Sequence, residues 1–240
     1  MKFSKEFFDL QTRFACRVAE LSGMPLEQAL LDYTNLYVRF GLGRDFDPEH
    51  PIWTDFVTGF ARTTDRAEWT YRFFLSRENR PGPPSIVATS GCFSYGREQT
   101  EYIRIHFENV ESDGQAPLGV EQVGSRRAEL RSLFEHVKRT QQGVQRVAGV
   151  SWLYNLPAYR RLFPETYLAT AKIAERRFRN MPLWGQFLDR HGTVRATAAK
   201  VFLERLSRQG DMEHLAQCFP LLPLAVEAPL PDFYKFHRID

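Results

Sequence analysis

The stretch Gly149-Val150-Ser151-Trp152-Leu153-Tyr154-Asn155-Leu156-Pro157-Ala158-Tyr159-Arg160-Arg161-Leu162-Phe163-Pro164 carries the most individual local pattern of the chain. Its first residues close a run rich in β-branched side chains that begins at Val144, so residues 144–152 read as a strand. Asn155 then offers a helix cap. Pro157 suits a first helical turn, where its missing N–H costs nothing, so a helix is expected through Phe163. A strand that runs straight into a helix sets the class of its surroundings as mixed α/β.

Working toward the N-terminus, residues 121–139 predict a long helix with an apolar stripe of Leu130, Leu133, Phe134 and Val137, ended by Gly143. Before it, residues 86–89 and 93–95 read as strands, and Gly96-Arg97-Glu98-Gln99 as the turn of a hairpin into a strand over 100–109. In that strand Ile103, Ile105 and Phe107 alternate with Tyr102, Arg104, His106 and Glu108, giving one apolar and one polar face. Further back, Phe3, Phe7, Leu10, Phe14, Val18 and Leu21 mark a first helix. Leu26, Leu30, Tyr33 and Tyr37 mark a second, stopped by Gly41 and Gly43. Pro51 opens a third with Ile52, Phe56 and Phe60, and Asp65 with Glu68 has capping-box spacing for a fourth through Trp69 and Phe73. The run Arg80-Pro81-Gly82-Pro83-Pro84 cannot continue a helix and marks the joint.

Toward the C-terminus, Tyr167, Ala171, Ala174 and Phe178 extend a helical stripe, residues 183–188 suggest a strand, and Thr193 caps a helix to Ser207. The apolar tail over 219–236, with four prolines, is expected as short extended pieces. The resulting class is α+β: a helical N-terminal bundle over residues 1–80, then a mixed α/β domain over residues 85–240.

Composition limits the function classes. With 43% hydrophobic and 25% charged residues the 240-residue chain is of ordinary globular make-up. Cys16, Cys92 and Cys218 are odd in number and form no C-x-x-C pair, which implies neither a disulfide framework nor a structural zinc site, and a reducing compartment. No apolar run reaches the ~20 residues needed to cross a bilayer, and the first residues have the pattern of an amphipathic helix, so a cytoplasmic location is expected. A formal net charge of +3 falls short of a dedicated nucleic-acid binder.

The motifs of nucleotide hydrolysis, dinucleotide redox chemistry and zincin proteolysis are absent. The six histidines are scattered, so no metal is expected. His106 and Glu108, two apart on one strand, are the best general-base pair, although they also suit a wet sheet face beside Arg104. Arg126, Arg127 and Arg131 open the long helix, where unpaired N–H groups favour a phosphate; a basic helix face is also commonly just solvated. A second basic cluster is Lys172, Arg176, Arg177 and Arg179. Cys92, in Ser90-Gly91-Cys92-Phe93, has no neighbouring base to activate it.

The strand ending Ser151-Trp152-Leu153, followed by the helix ending Leu162-Phe163-Pro164, resembles a segment of the GNAT-like C-terminal domains of acyltransferases. The order around it is also similar over residues 102–206: a hairpin strand, a long helix, this strand, then a Thr-led helix, behind a separate helical N-terminal domain. The resemblance implies acyl transfer from a CoA or carrier-protein thioester to an amine acceptor, with acyl-CoA as co-substrate. It implies Glu108 or His106 as base, and Tyr154 or Tyr159 as proton donor to the leaving thiolate. It further implies Arg126 and Arg127 at the phosphates, N–H groups near Val150 at the thioester carbonyl, and Ser151 and Trp152 lining the acyl cleft. The chain departs from that pattern in lacking the family's Q/R-x-x-G-x-G/A turn before the long helix, where only Gly119 and Gly124 occur. The rival expectations are a noncatalytic protein-binding scaffold built on the N-terminal helices, and RNA binding by the basic helices.

Overall fold

The computed structural model describes residues 3–77, 86–110, 116–174, 178–179, 181–189 and 191–240. Among them are eleven α-helices and a six-stranded mixed sheet, an α+β architecture. The chain divides into two compact units, one of Met1–Gly82 with Glu175–Leu222, the other of Pro83–Ala174 with Pro223–Asp240. The proline-rich joint at 80–84 and its neighbour Ser85 lie outside the described residues.

The first unit starts with α1 (Lys5–Ser22), which buries Phe7, Phe8, Leu10, Phe14 and Val18 and stops at Gly23, whose left-handed φ of 71° lets its N–H reach Ala19. The second expected helix is two, α2 (Leu26–Tyr33) and α3 (Leu36–Arg39). The break has a local cause. Thr34 Oγ1 donates to the Leu30 carbonyl at 2.6 Å and accepts the Leu36 N–H at 3.3 Å, while Gln11 Oε1 of α1 accepts the Asn35 N–H at 3.0 Å. α4 (Pro51–Arg62) has proline in its first turn, and α5 (Arg66–Leu75) is capped by Asp65, whose carboxylate accepts the Glu68 N–H at 2.9 Å.

The second unit opens with a meander of β1 (Ile86–Ser90), β2 (Phe93–Gln99) and β3 (Tyr102–Phe107). The residues expected as its second turn, 96–99, continue β2, which pairs with β3 as far as Gln99↔Tyr102, so the reversal falls at Thr100-Glu101. α6 (Val123–Thr140) then leads to β4 (Arg146–Ser151), which lies parallel to β3. A 3-10 turn (Trp152–Asn155), α7 (Pro157–Arg160) and α8 (Glu165–Leu168) follow. The expected helical stripe from Tyr167 to Phe178 is interrupted, because β5 (Lys172–Ile173) pairs antiparallel with a later strand.

The chain then re-enters the first unit through α9 (Met181–Gly185) and α10 (Ala196–Arg208). The strand expected over 183–188 is therefore a correction: its first residues are helical, and Leu183, Trp184 and Phe187 are all buried in the helical core. The division at residues 80 and 85 is also incomplete. Phe14 of α1 packs edge-on against Trp184 at 5.6 Å, Phe178 at 5.5 Å and Phe219 at 5.2 Å, so the later segment completes the core that the first helices begin.

The proline-containing tail is likewise ordered differently from expectation. β6 (Leu224–Pro229) enters the sheet and α11 (Leu230–His237) follows it directly. Pro229 ends the strand and Pro231 sits in the helix's first turn, which is where prolines are tolerated. The strand order is β1-β2-β3-β4-β6-β5, with β3–β4 the parallel pair. One face of this sheet is apolar and covered by α6, α11 and the segment after β4: Phe93, Tyr95, Ile103, Val147 and Phe134 are fully buried there.

Candidate functional site

β3 and β4 pair only at Tyr102↔Arg146, Ile103↔Val147 and Arg104↔Ala148, although β3 runs on to Phe107 and β4 to Ser151. Beyond that point each strand stays paired on its outer side, Ile105–Phe107 with β2 and Gly149–Ser151 with β6. The ladder between them has ended. Parallel strands that part at their C-terminal ends form an opening edged by backbone N–H and C=O groups, where an extended, amide-bearing ligand can lie.

Gly149 is the first β4 residue past the ladder. A side chain there would collide with the hydroxyls of Tyr154 and Tyr167. Its backbone φ is not positive, so the requirement is for space. The two hydroxyls are 2.9 Å apart, and Tyr159 packs edge-on against Tyr154 at 5.1 Å. Burial pushes all three phenols well above their ordinary range; Tyr167 adds to the effect on Tyr154 and Tyr154 to that on Tyr159, while the hydrogen bond with Tyr159 offsets part of the shift at Tyr154. They stay protonated at every physiological pH. Gly149 shares the apolar sheet face with Val147 and Ile103, whereas His106, one position out of phase with Ile105, projects to the opposite face.

Of the other expected residues, Val150 and Ser151 end β4, and Ser151 Oγ accepts the Leu153 N–H at 3.1 Å to start the 3-10 turn. Trp152 opens that turn and is half-buried. Glu108 is exposed just past β3, its backbone N–H donating to the Cys92 carbonyl at 2.9 Å.

Arg126 is a correction. It is 2% exposed, its guanidinium reaches the Cys92 thiol, and it pairs with Glu129 at 3.1 Å. Glu129 in turn accepts the Cys92 N–H at 3.1 Å and fills the space beside Gly91, whose left-handed φ of 55° makes the β1–β2 turn. Arg126 is a strut between α6 and the hairpin, out of reach of a phosphate. Helix periodicity explains this: positions 126, 130, 133, 134 and 137 form the buried stripe of α6.

Arg127, one position on, faces a cavity of about 520 Å³ shared with Arg160, Arg161, Glu165 and Phe236. Arg161 donates to the Leu118 and Gly119 carbonyls at 2.7 and 2.9 Å, and Arg127 to the Arg161 carbonyl at 3.1 Å. Three guanidiniums thus face one carboxylate. The first unit has a cavity of similar size, about 500 Å³, but there Arg13, Arg17 and Arg66 are balanced by Asp9, Glu20 and Asp65. Of these two cavities, the second unit's carries the excess of positive charge suited to an anion.

In the sequence, Arg160 and Arg161 are simply two positions of the helix expected through Phe163, and Tyr167 is one member of a stripe. The Gly149-to-tyrosine contact depends on how the chain folds back after β4, which local pattern does not encode. In the second basic cluster, Arg179 lies over the Phe46 ring at 4.0 Å and pairs with Asp32 at 3.5 Å, while Arg176 and Arg177 lie outside the described residues. Among the described residues no helix is long and apolar enough to cross a membrane, and no group of three or more His, Cys, Asp or Glu is placed to hold a metal ion. No family model, characterised protein or solved structure matches the chain.

Proposed function

We propose that the second unit is a GNAT-like acyl-transfer module, moving an acyl group from a pantetheine thioester to an amine. The observation that carries this reading is the opening between β3 and β4, with a buried, protonated tyrosine pair at the point where the strands part. The order β3, α6, β4 within this unit is in keeping with it, while the helix after Thr193 that the resemblance includes belongs to the first unit. A pantetheine arm is linear and contains two amides, so it matches a gap between strand edges. The basic cavity around Arg127, Arg160 and Arg161 belongs to the elements that follow β3 and β4, which suits a phosphate-bearing arm.

The reaction is R–CO–SR′ + R″NH2 → R–CO–NHR″ + HSR′. Glu108 or His106 takes the proton that the amine loses as its nitrogen forms the new C–N bond. The Val150 N–H steadies the oxyanion, and Tyr154 protonates sulfur as the C–S bond breaks. Tyr167 holds the Tyr154 hydroxyl in place. Base and acid then act from opposite faces of the sheet, which keeps the two proton transfers apart.

The test is a thermal-shift titration with S-acetyl-4′-phosphopantetheine, the portion common to CoA and carrier-protein donors. A ligand held only by the folded state raises the melting temperature. A rise that is lost in Gly149→Leu, with that variant still folded, supports the reading. No rise at millimolar probe rules it out.

A further inference from the structure

From the start of α6 and the basic rim beside it, we infer that the acyl donor is delivered by an acidic carrier protein, not as free CoA; this rests on the acyl-transfer reading. A diphosphate held at a helix start needs consecutive unpaired backbone N–H groups. In the turn ahead of α6 three such groups are spent on the chain itself: the Gly119 N–H bonds the Ala116 carbonyl at 2.9 Å, the Gln122 N–H the Gly119 carbonyl at 3.2 Å, and the Val123 N–H the Val120 carbonyl at 3.3 Å. The Glu121 carboxylate also packs against Gly119, where any side chain would strike it. The turn leading into α6 thus turns three of its donors inward and sets a negative charge where a diphosphate would approach.

Anion recognition therefore passes to side chains. Arg127, Arg160 and Arg161 offer a discrete guanidinium site of the kind that takes a single phosphodiester, which is what a phosphopantetheine arm carries where it joins its carrier. Around it, Arg127 and Arg131 stand one turn apart on the exposed side of α6, where Glu135 pairs with Arg131 and Glu165 lines the cavity. Such a rim attracts an acidic protein surface and raises its rate of encounter. The exposed edge of Phe236, over which Arg127 lies at 5.8 Å, adds an apolar contact at the same place.

The experiment uses the full chain and measures its binding to phosphopantetheinylated acyl-carrier protein, to the same carrier without its arm, and to CoA and acetyl-CoA. The armed carrier is expected to bind, and removal of the arm to weaken binding by about tenfold. Arg127→Glu and Arg160→Glu should each weaken it by about tenfold and reduce its salt dependence, while Arg208→Glu on the exposed face of α10 leaves it unchanged. Circular dichroism of each variant confirms the fold. If CoA or acetyl-CoA binds and the carrier does not, the carrier inference is overturned and acyl transfer stands. If the carrier binds but is indifferent to Arg127→Glu and Arg160→Glu, the docking surface is overturned. If no donor of either kind binds, both readings fall.

Discussion

The hydroxyls of Tyr154 and Tyr167 meet at 2.9 Å against Gly149, the first residue of β4 that no longer pairs with β3. Position 149 consequently admits no side chain. Gly149→Ala is expected to cost about 2 kcal/mol by overpacking, and part of that loss should return in Gly149→Ala/Tyr154→Phe, where one colliding oxygen is gone. Equilibrium denaturation of the four proteins in this cycle measures the coupling. Strict additivity would mean that the glycine is not held open by the tyrosine.

Arg126 should behave as a structural residue. Arg126→Met takes the guanidinium away from Glu129, which is mostly buried, and the expected loss is about 3 kcal/mol. Adding Glu129→Gln removes the stranded charge and should recover much of it. The corresponding change at the neighbouring, exposed Arg127 should leave stability within about 0.5 kcal/mol. Thermal melts of the three variants separate a strut from a ligand-binding arginine.

The contrast between Arg126 and Arg127 also bounds what the sequence can reveal. Helical stripes in α1, α4, α5 and α6, the Asp65 cap and the strand at 146–151 follow from spacing and capping chemistry alone. The division of the chain does not, because the packing of Phe14 on Trp184 and Phe219 is a long-range event with no local signature. Leu183 and Phe187 form a short apolar run, and such a run is ambiguous between strand and helix until its tertiary neighbours decide. In the candidate site, Tyr154 is reached only through the family resemblance, whereas Tyr167, Arg160 and Arg161 gain their meaning only through the fold around them.

Because the helical core is shared between two chain segments, a fragment of residues 1–80 should fail to fold cooperatively. It lacks the rings of Phe178, Trp184 and Phe219 that enclose Phe14. Its melting curve should be broad, and its near-ultraviolet circular dichroism weak. A sharp two-state transition from the fragment would show that Glu175–Leu222 is dispensable for that core.

Stability should fall on mild acidification through His237. This ring is buried against Phe134, and burial, reinforced by Arg127 and Arg131, lowers its pKa from 6.5 to about 4. Between those values the unfolded chain binds a proton that the folded chain refuses, so the histidine's contribution is intact above pH ~6.5 and is lost progressively down to pH ~4. The loss attributable to it is on the order of 2–3 kcal/mol. In His237→Phe, which keeps the stacking, the slope over this range should flatten, and denaturation midpoints at a series of pH values measure it. An unchanged slope would assign the acid sensitivity elsewhere.

The most direct test of the account is hydrogen exchange of the intact protein with and without S-acetyl-4′-phosphopantetheine. Binding in the opening predicts slowed exchange at the amides of residues 105–107 and 149–151, and no change across α1, α2, α4 and α5. Unchanged exchange at residues 105–107 and 149–151 under saturating probe, or protection confined to the helical unit, would contradict it.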